Sequence, residues 1–296
     1  MAGDTDRSEE LSREIDQLGN THPHLKPVLE AFAPVFVEKM RWLSATELKQ
    51  HPLVIDPLRF TEGISLSQQQ SLLVAEDPWD DAGLNVARAI AQGFPHLGAD
   101  METIVRYITA GDNENLSQLL TENQETGESL DEDAAKMGIS PTSLRLYLRV
   151  VSRFLLSIKA RDLQPVLAAH AWKKGYCPVC GSFPHLAILG EQGRRQLQCA
   201  DCGHAWSFPR MVCPYCDHED PENTNIFFIE GQKEESAFLC EQCKRYLLTV
   251  NRPSELGHPH ADLIAISLLH LDIILQEKGY SPMTETDWNS IPPDQA

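Results

Sequence analysis

The sequence predicts an α+β protein: a helical N-terminal domain, a tandem zinc-ribbon-like four-cysteine metal region, and a C-terminal helix. Three observations lead there. Apolar residues recur at helical spacing through the first 165 residues. After Gly175 the texture changes to short apolar runs broken by glycine. All eight cysteines lie in that second part, and each belongs to a C-x-x-C pair.

The opening stretch, MAGDTDRSEELSREIDQLGN, is polar and acid-rich and reads as a flexible N-terminus over residues 1–22. A helical domain over 23–172 follows. In LKPVLEAFAPVFVEKMRWLSATELKQ, Leu25, Val28, Leu29, Phe32, Phe36, Met40 and Leu43 recur near i, i+3, i+4 spacing, and Pro34 is expected to bend or interrupt the helix. AGLNVARAIAQGFPHL and METIVRYITAG give two more helices, split by Gly93 and Pro95, and a short one is expected over Leu116 to Leu120. After a break at Gly138 to Pro141, a long helix puts Leu144, Leu148, Val151, Leu155 and Ile158 on one face. Such stripes serve core packing, and they contain no cofactor motif.

The second part reads as a repeat. HLAILGEQGRRQLQCADC is strand, glycine turn, strand, and TNIFFIEGQKEESAFLCEQC repeats the plan. Each unit is thus knuckle, hairpin, knuckle, over 173–211 and 212–256. Segments such as LAIL and IFFI are expected to pack against each other or against the helices. A C-terminal helix over 257–280, stopped at Gly279, and a polar tail over 281–296 complete the chain.

Three chemistries use paired cysteines. A disulfide framework needs an oxidising compartment. The N-terminus has no apolar signal core, and the longest apolar run, Ala265 to Leu275, is interrupted by Ser267, His270 and Asp272, so a cytoplasmic protein without membrane insertion is expected. A thioredoxin-like dithiol needs a C-x-x-C at a helix start beside a βαβ pattern, and none surrounds these pairs. A metal site explains the spacing. A C-x-x-C turn offers two corners of a tetrahedron, and a second pair offers the other two. In sequential pairing, Cys177, Cys180, Cys199 and Cys202 form one site around 18 intervening residues; Cys213, Cys216, Cys240 and Cys243 form another around 23. Interleaved pairing needs longer crossings. Gly181 and Gly203 permit the positive φ that ends such a turn. Two metal ions per chain follow.

With 25 Lys and Arg against 43 Asp and Glu, the formal charge is −18 and no basic stripe exists. That lowers, without removing, the runner-up reading of a tandem zinc-ribbon protein that binds nucleic acid or the transcription machinery, and no nucleic-acid partner is expected. His204 and His218 each follow a pair by two residues, but eight cysteines already fill two tetrahedra. DHEDPE at 217–222 reads as a solvated loop, HPH at 258–260 as the start of the last helix, and Val179 and Tyr215 as exposed knuckle tips. No Ser/His/Asp set or phosphate loop marks an enzyme.

The run from YCPVCGSFP through LQCADCGHAW, RMVCPYCDHE and FLCEQCKRYL to ADLIAISLLHLDIILQEKGYSP resembles the FdhE family of formate dehydrogenase accessory proteins. The resemblance implies a cytoplasmic, non-catalytic protein that binds the catalytic subunit of a molybdenum-containing formate dehydrogenase during its maturation and export. It also implies that the four-cysteine units are rubredoxin-like and hold iron at the eight cysteines named above; four sulfurs suit zinc equally well. A rubredoxin-like electron-transfer protein is a further alternative.

Overall fold

The computed structural model describes residues 4–48, 54–110, 128–251 and 261–289. Its helices in chain order are α1 (Asp4–Thr21), α2 (Lys26–Ala45), α3 (Pro57–Thr61), α4 (Leu66–Gln69), α5 (Trp79–Gly93), α6 (Gly98–Thr109), α7 (Glu128–Met137), α8 (Pro141–Leu167), α9 (Ala261–Ser267) and α10 (Leu269–Glu277). Its strands are β1 (Pro184–Leu189), β2 (Arg195–Cys199), β3 (Ala205–Ser207), β4 (Thr224–Phe228), β5 (Glu235–Cys240), β6 (Arg245–Asn251) and β7 (Ser281–Pro282). The chain divides into two compact units, one drawn from residues 1–52 and 72–159, the other from 53–71 and 160–296.

The first unit is helical. The stripe foreseen on α8 is buried in full: Leu144, Leu148, Val151, Leu155 and Ile158 join Val86, Ile90 and Ile104 in one core. Gly93 ends α5 where a Cβ would stand 1.9 Å from the Ala31 carbonyl oxygen, so this helix approach requires glycine. Pro34 lies inside α2, which continues through it. A buried ion pair joins Lys159 Nζ to Asp77 Oδ1 at 2.8 Å; Asp77 Oδ2 also accepts from the Val74 amide at 2.9 Å. The N-terminus differs from expectation. Residues 4–21 are helical, because LSREIDQL sets Leu11 and Ile15 one turn apart and both are buried, which a flexible tail could not offer. The short helix expected at Leu116 to Leu120 lies outside the described residues.

The second unit holds the cysteines, and it is built differently from two independent repeats. Both expected hairpins form, β1 with β2 and β4 with β5. The strand after each unit's last knuckle then joins: β3 pairs with β2, and β6 pairs with β5. A parallel pairing of β1 with β6 merges everything into one sheet of order β3-β2-β1-β6-β5-β4, with β7 paired to β6. Alternate residues Leu186, Ile188, Ala237, Leu239, Tyr246, Leu248 and Val250 form its apolar face, which packs on Ile264, Leu268, Leu271 and Leu275 of the C-terminal helices. LAIL is therefore covered, while Ile226 and Phe228 of IFFI, on edge strand β4, stay exposed. The C-terminal helix is two helices, interrupted at Leu268, and it ends at Gly279 with φ +85°, as its sequence foretells.

The boundary drawn at 172 also shifts. Residues 57–69 belong with the cysteines. Phe60 packs on Trp172 with ring centroids 4.7 Å apart, and the Tyr176 hydroxyl donates to the Gly63 carbonyl at 2.6 Å. An aromatic clasp of this kind has no periodic signature in sequence.

Candidate metal centres

Four turns build the two centres, and they share one backbone plan. In three of them the amide of the first residue after the second cysteine donates back to the first cysteine's carbonyl: Gly181 to Cys177, Asp217 to Cys213 and Lys244 to Cys240. That residue is left-handed in every turn: Gly181 at φ +80°, Gly203 at +70°, Asp217 at +56° and Lys244 at +56°. The next residue's carbonyl accepts from the first cysteine's amide, as in Ser182 with Cys177, His204 with Cys199 and His218 with Cys213. Two of the four left-handed positions are not glycine, so the sequence signal for them was weaker.

The pairing is sequential. The sulfurs of Cys177, Cys180, Cys199 and Cys202 all lie within 4.8 Å of one another, as do those of Cys213, Cys216, Cys240 and Cys243. Within the first set, Cys177 to Cys202 is 3.5 Å, Cys180 to Cys199 is 3.3 Å and Cys180 to Cys202 is 3.6 Å. Within the second, Cys213 to Cys243 is 3.8 Å and Cys216 to Cys240 is 3.7 Å. Thiolates about 2.3 Å from a tetrahedral metal stand about 3.8 Å apart, so both donor sets fit a four-coordinate ion.

Electrostatics point the same way. Burial pushes the Cys177, Cys202, Cys213 and Cys243 thiols up, the last to about 11. Hydrogen bonds from Cys177, Cys199 and Cys202 hold Cys180 down. Four buried sulfurs cannot all ionise unless a cation neutralises them, and metal uptake would expel the remaining protons. His204 lies outside the first cluster; burial holds its imidazole down at about 4, and it stacks parallel to Trp206. His218 is likewise outside the second.

The surroundings of the two clusters differ. At the first, Cys177, Cys199 and Cys202 are buried. Its first turn is covered by α4: the Leu66 and Ser67 amides donate to the Pro178 and Val179 carbonyls, each at 2.9 Å. Ser65 starts α4 in a capping box with Gln68. Val179 is therefore 0% exposed, which overturns its reading as an exposed tip. At the second cluster Cys216 is exposed, and Tyr215, also exposed, lies against Phe183 with the Arg245 guanidinium 4.0 Å from its ring centre. Its fourth turn is tied down by Glu241, which accepts from Lys244, Tyr280 and Asn225 and is held at about 2 by those bonds. The loop at 217–222 is solvated at Asp217, Glu219, Asp220 and Glu222. Asp220 caps the turn at Pro221. The HPH at 258–260 lies outside the described residues.

No family model matches the chain. A protein FdhE homolog of Aquifex aeolicus is 30% identical over 157 residues, 48% of this chain and 51% of that protein. One of Haemophilus ducreyi is 32% identical over 128 residues, covering 41% and 40%. One of Edwardsiella ictaluri is 26% identical over 300 aligned positions, covering 89% and 90%. The match to the first two thus spans about half of their length or less, and the match to the third nearly all. The crystal structure of the FdhE protein from Pseudomonas aeruginosa shares the fold, with a TM-score of 0.59 at 21% identity over 93% of this chain and 92% of that one. A relative matched over nearly the whole length, a shared fold and two complete four-cysteine clusters make this chain similar to FdhE proteins in sequence and in fold.

Proposed function

We propose that this chain is a non-catalytic accessory factor for a respiratory, molybdenum-containing formate dehydrogenase, binding its catalytic subunit in the cytoplasm. Each four-cysteine cluster holds one metal ion, iron in the cell and zinc as the alternative, with the eight cysteines as ligands. The observation that carries the reading is similarity to FdhE proteins together with two sets of four clustered sulfurs on one sheet. The ions tie the four turns to the ends of the sheet and add to the stability of its apolar core.

The client meets the second unit. Met211, Tyr215, Ile226 and Phe228 are exposed apolar groups there, and the exposed Asp217, Glu219, Asp220 and Glu222 add negative charge to the same unit. A basic segment of the client, such as an export signal, complements that charge; attraction speeds encounter and apolar contact slows release.

A kinetic binding assay at low and high ionic strength tests this, using full-length catalytic subunit and subunit lacking its signal segment. Association slowed by salt and weakened by truncation is expected. An unchanged rate rejects the charge argument, and undiminished binding of truncated client rejects the signal segment. Metal analysis and the visible spectrum of anaerobically purified protein decide between iron and zinc.

A further inference from the structure

Arg195, the first residue of β2, is only 3% exposed and pairs with no carboxylate among the described residues. Its guanidinium lies between two aromatic rings, 5.3 Å from the Phe208 centre and 5.1 Å from that of Phe238. One nitrogen, Nη2, donates to the Pro209 and Val212 carbonyls, both at 2.6 Å. Nε and Nη1 are buried with no hydrogen-bond partner among the described residues.

A buried cation in this position is costly. Removing a guanidinium from water costs several kcal/mol in real proteins unless a counter-charge answers it. The two ring faces return about 2 kcal/mol each at best, and two carbonyls do not replace an anion. The missing negative charge is at hand. Val212, whose carbonyl Arg195 holds, is joined directly to Cys213. Burial draws the guanidinium down to about 10, the Cys213 sulfur opposes that, and Arg210 adds to it. Four thiolates around a divalent ion carry about −2, far more than one thiol supplies.

We infer that Arg195 is a positioning residue of the second centre, set on a strand of the first repeat. It grips the 209–212 linker by two carbonyls and so aims Cys213 into its cluster. Its charge also offsets the anionic metal–thiolate group. The two centres are therefore coupled: the hairpin closed by the first metal carries the counter-charge of the second. This rests on the reading that the second cluster binds a metal.

The test uses the zinc-loaded full chain in competition with a colorimetric chelator, which resolves two affinities; Cys216→Ser identifies the second-centre phase. Arg195→Met keeps the stem and removes the charge, and Arg195→Lys keeps the charge. Supporting groups of this kind are worth about tenfold to a hundredfold in metal affinity. Arg195→Met is expected to lose that much at the second centre alone, and Arg195→Lys to recover most of it. In the iron-loaded chain Arg195→Met is also expected to shift the second-centre reduction potential downwards, because a nearby cation favours the more anionic reduced state. A merely structural strut would loosen both centres together and leave the potential in place. Either result overturns the inference, as does a second-centre affinity indifferent to Arg195→Met. Should Arg195→Met not fold, a second-centre potential in Arg195→Gln equal to wild type overturns it instead. A wild-type chain that takes up only one metal fails the metal reading itself.

Discussion

At the first centre three cysteines are buried, and α4, from more than a hundred residues upstream, sits on the turn that carries Cys177 and Cys180. At the second centre Cys216 is exposed, Cys243 is only partly buried, and the neighbouring loop is acidic and solvated. The ligand sets and turn geometry are the same. The difference lies in what surrounds the sulfurs, and access to solvent largely decides whether such a site is inert or exchanges its metal. One fold thus carries one cluster with three of its four sulfur-bearing residues buried and another that is open to solvent at Cys216.

The largest effect should come from breaking the two centres separately. Structural zinc contributes about 10–16 kcal/mol to the folding of small metal units, more than a typical domain's whole stability. Because β1 pairs with β6, loss of the first metal should unravel the shared sheet rather than one repeat. Cys177→Ser is therefore expected to abolish the cooperative urea transition of the cysteine unit, while Cys216→Ser keeps that transition and loses one metal. Equal damage from the two variants, by urea unfolding and metal analysis, would break the comparison.

The junction between the centres offers the next test. A Cβ on Gly175 would lie 1.9 Å from the Pro214 carbonyl oxygen and 2.4 Å from its Cα, so the backbone beside Cys213 must move. Overpacking of this kind costs about 1–3 kcal/mol, and each kcal/mol lowers Tm by about 2–4 °C at this size. Gly175→Ala should lower Tm and speed chelator extraction at the second centre more than at the first. Gly98→Ala, where nothing lies within 4 Å, is the control.

Beneath the sheet on the second centre's side, Asp272 accepts a hydrogen bond from the Tyr246 hydroxyl, and burial raises its carboxyl from 3.8 to about 6. A carboxyl raised in the folded state binds more protons folded than unfolded, so stability falls as pH climbs from about 4 to about 6 and stays lower above that. The full shift corresponds to about 3 kcal/mol as an upper bound. Asp272→Asn keeps an acceptor for Tyr246 and should gain about 1–2 kcal/mol at pH 8 while flattening that pH dependence. Urea unfolding at pH 4.5 and pH 8 checks it; an Asn variant that is less stable at pH 8 would show that the charge is needed.

Much of this molecule was legible in the sequence, for physical reasons. The C-x-x-C spacing is imposed by the tetrahedron, so the cysteine groups could be read without coordinates, and glycine punctuation marked both hairpins. The stripe on α8 could be read because a buried helix face repeats. What stayed hidden depends on contacts without a period. The clasp of Phe60 on Trp172 and the seating of Ser65 to Gln69 on Pro178 and Val179 join residues distant in sequence. Arg195 was equally invisible, since an arginine inside RRQLQ reads as ordinary hairpin surface. One signal was available and missed: Leu11 and Ile15 in the acidic N-terminus are spaced as a helix face.

The smallest expected effect separates the turns themselves. The left-handed position is glycine in both turns of the first centre, and Asp217 and Lys244 in those of the second. A non-glycine residue there costs about 1–2 kcal/mol, somewhat less for Asp, whose side chain tolerates that region. Glycine gives back about 0.5–1 kcal/mol through the freer unfolded chain. Asp217→Gly should therefore stabilise the second centre by a few tenths of a kcal/mol at most, and Gly203→Ala should cost the first about 1 kcal/mol. Gly203 suits the test because nothing lies within 4 Å of the added Cβ, so only the φ of +70° is probed. Lys244 suits it less, because its ammonium pairs with Glu241 and lies 5.4 Å from the Tyr280 ring centre. The readout is the midpoint of metal-loaded thermal unfolding for each variant. If Asp217→Gly destabilises by 1 kcal/mol or more, the aspartate is a working part of the second centre's acidic rim, and the two centres differ in their turns as well as in their cover.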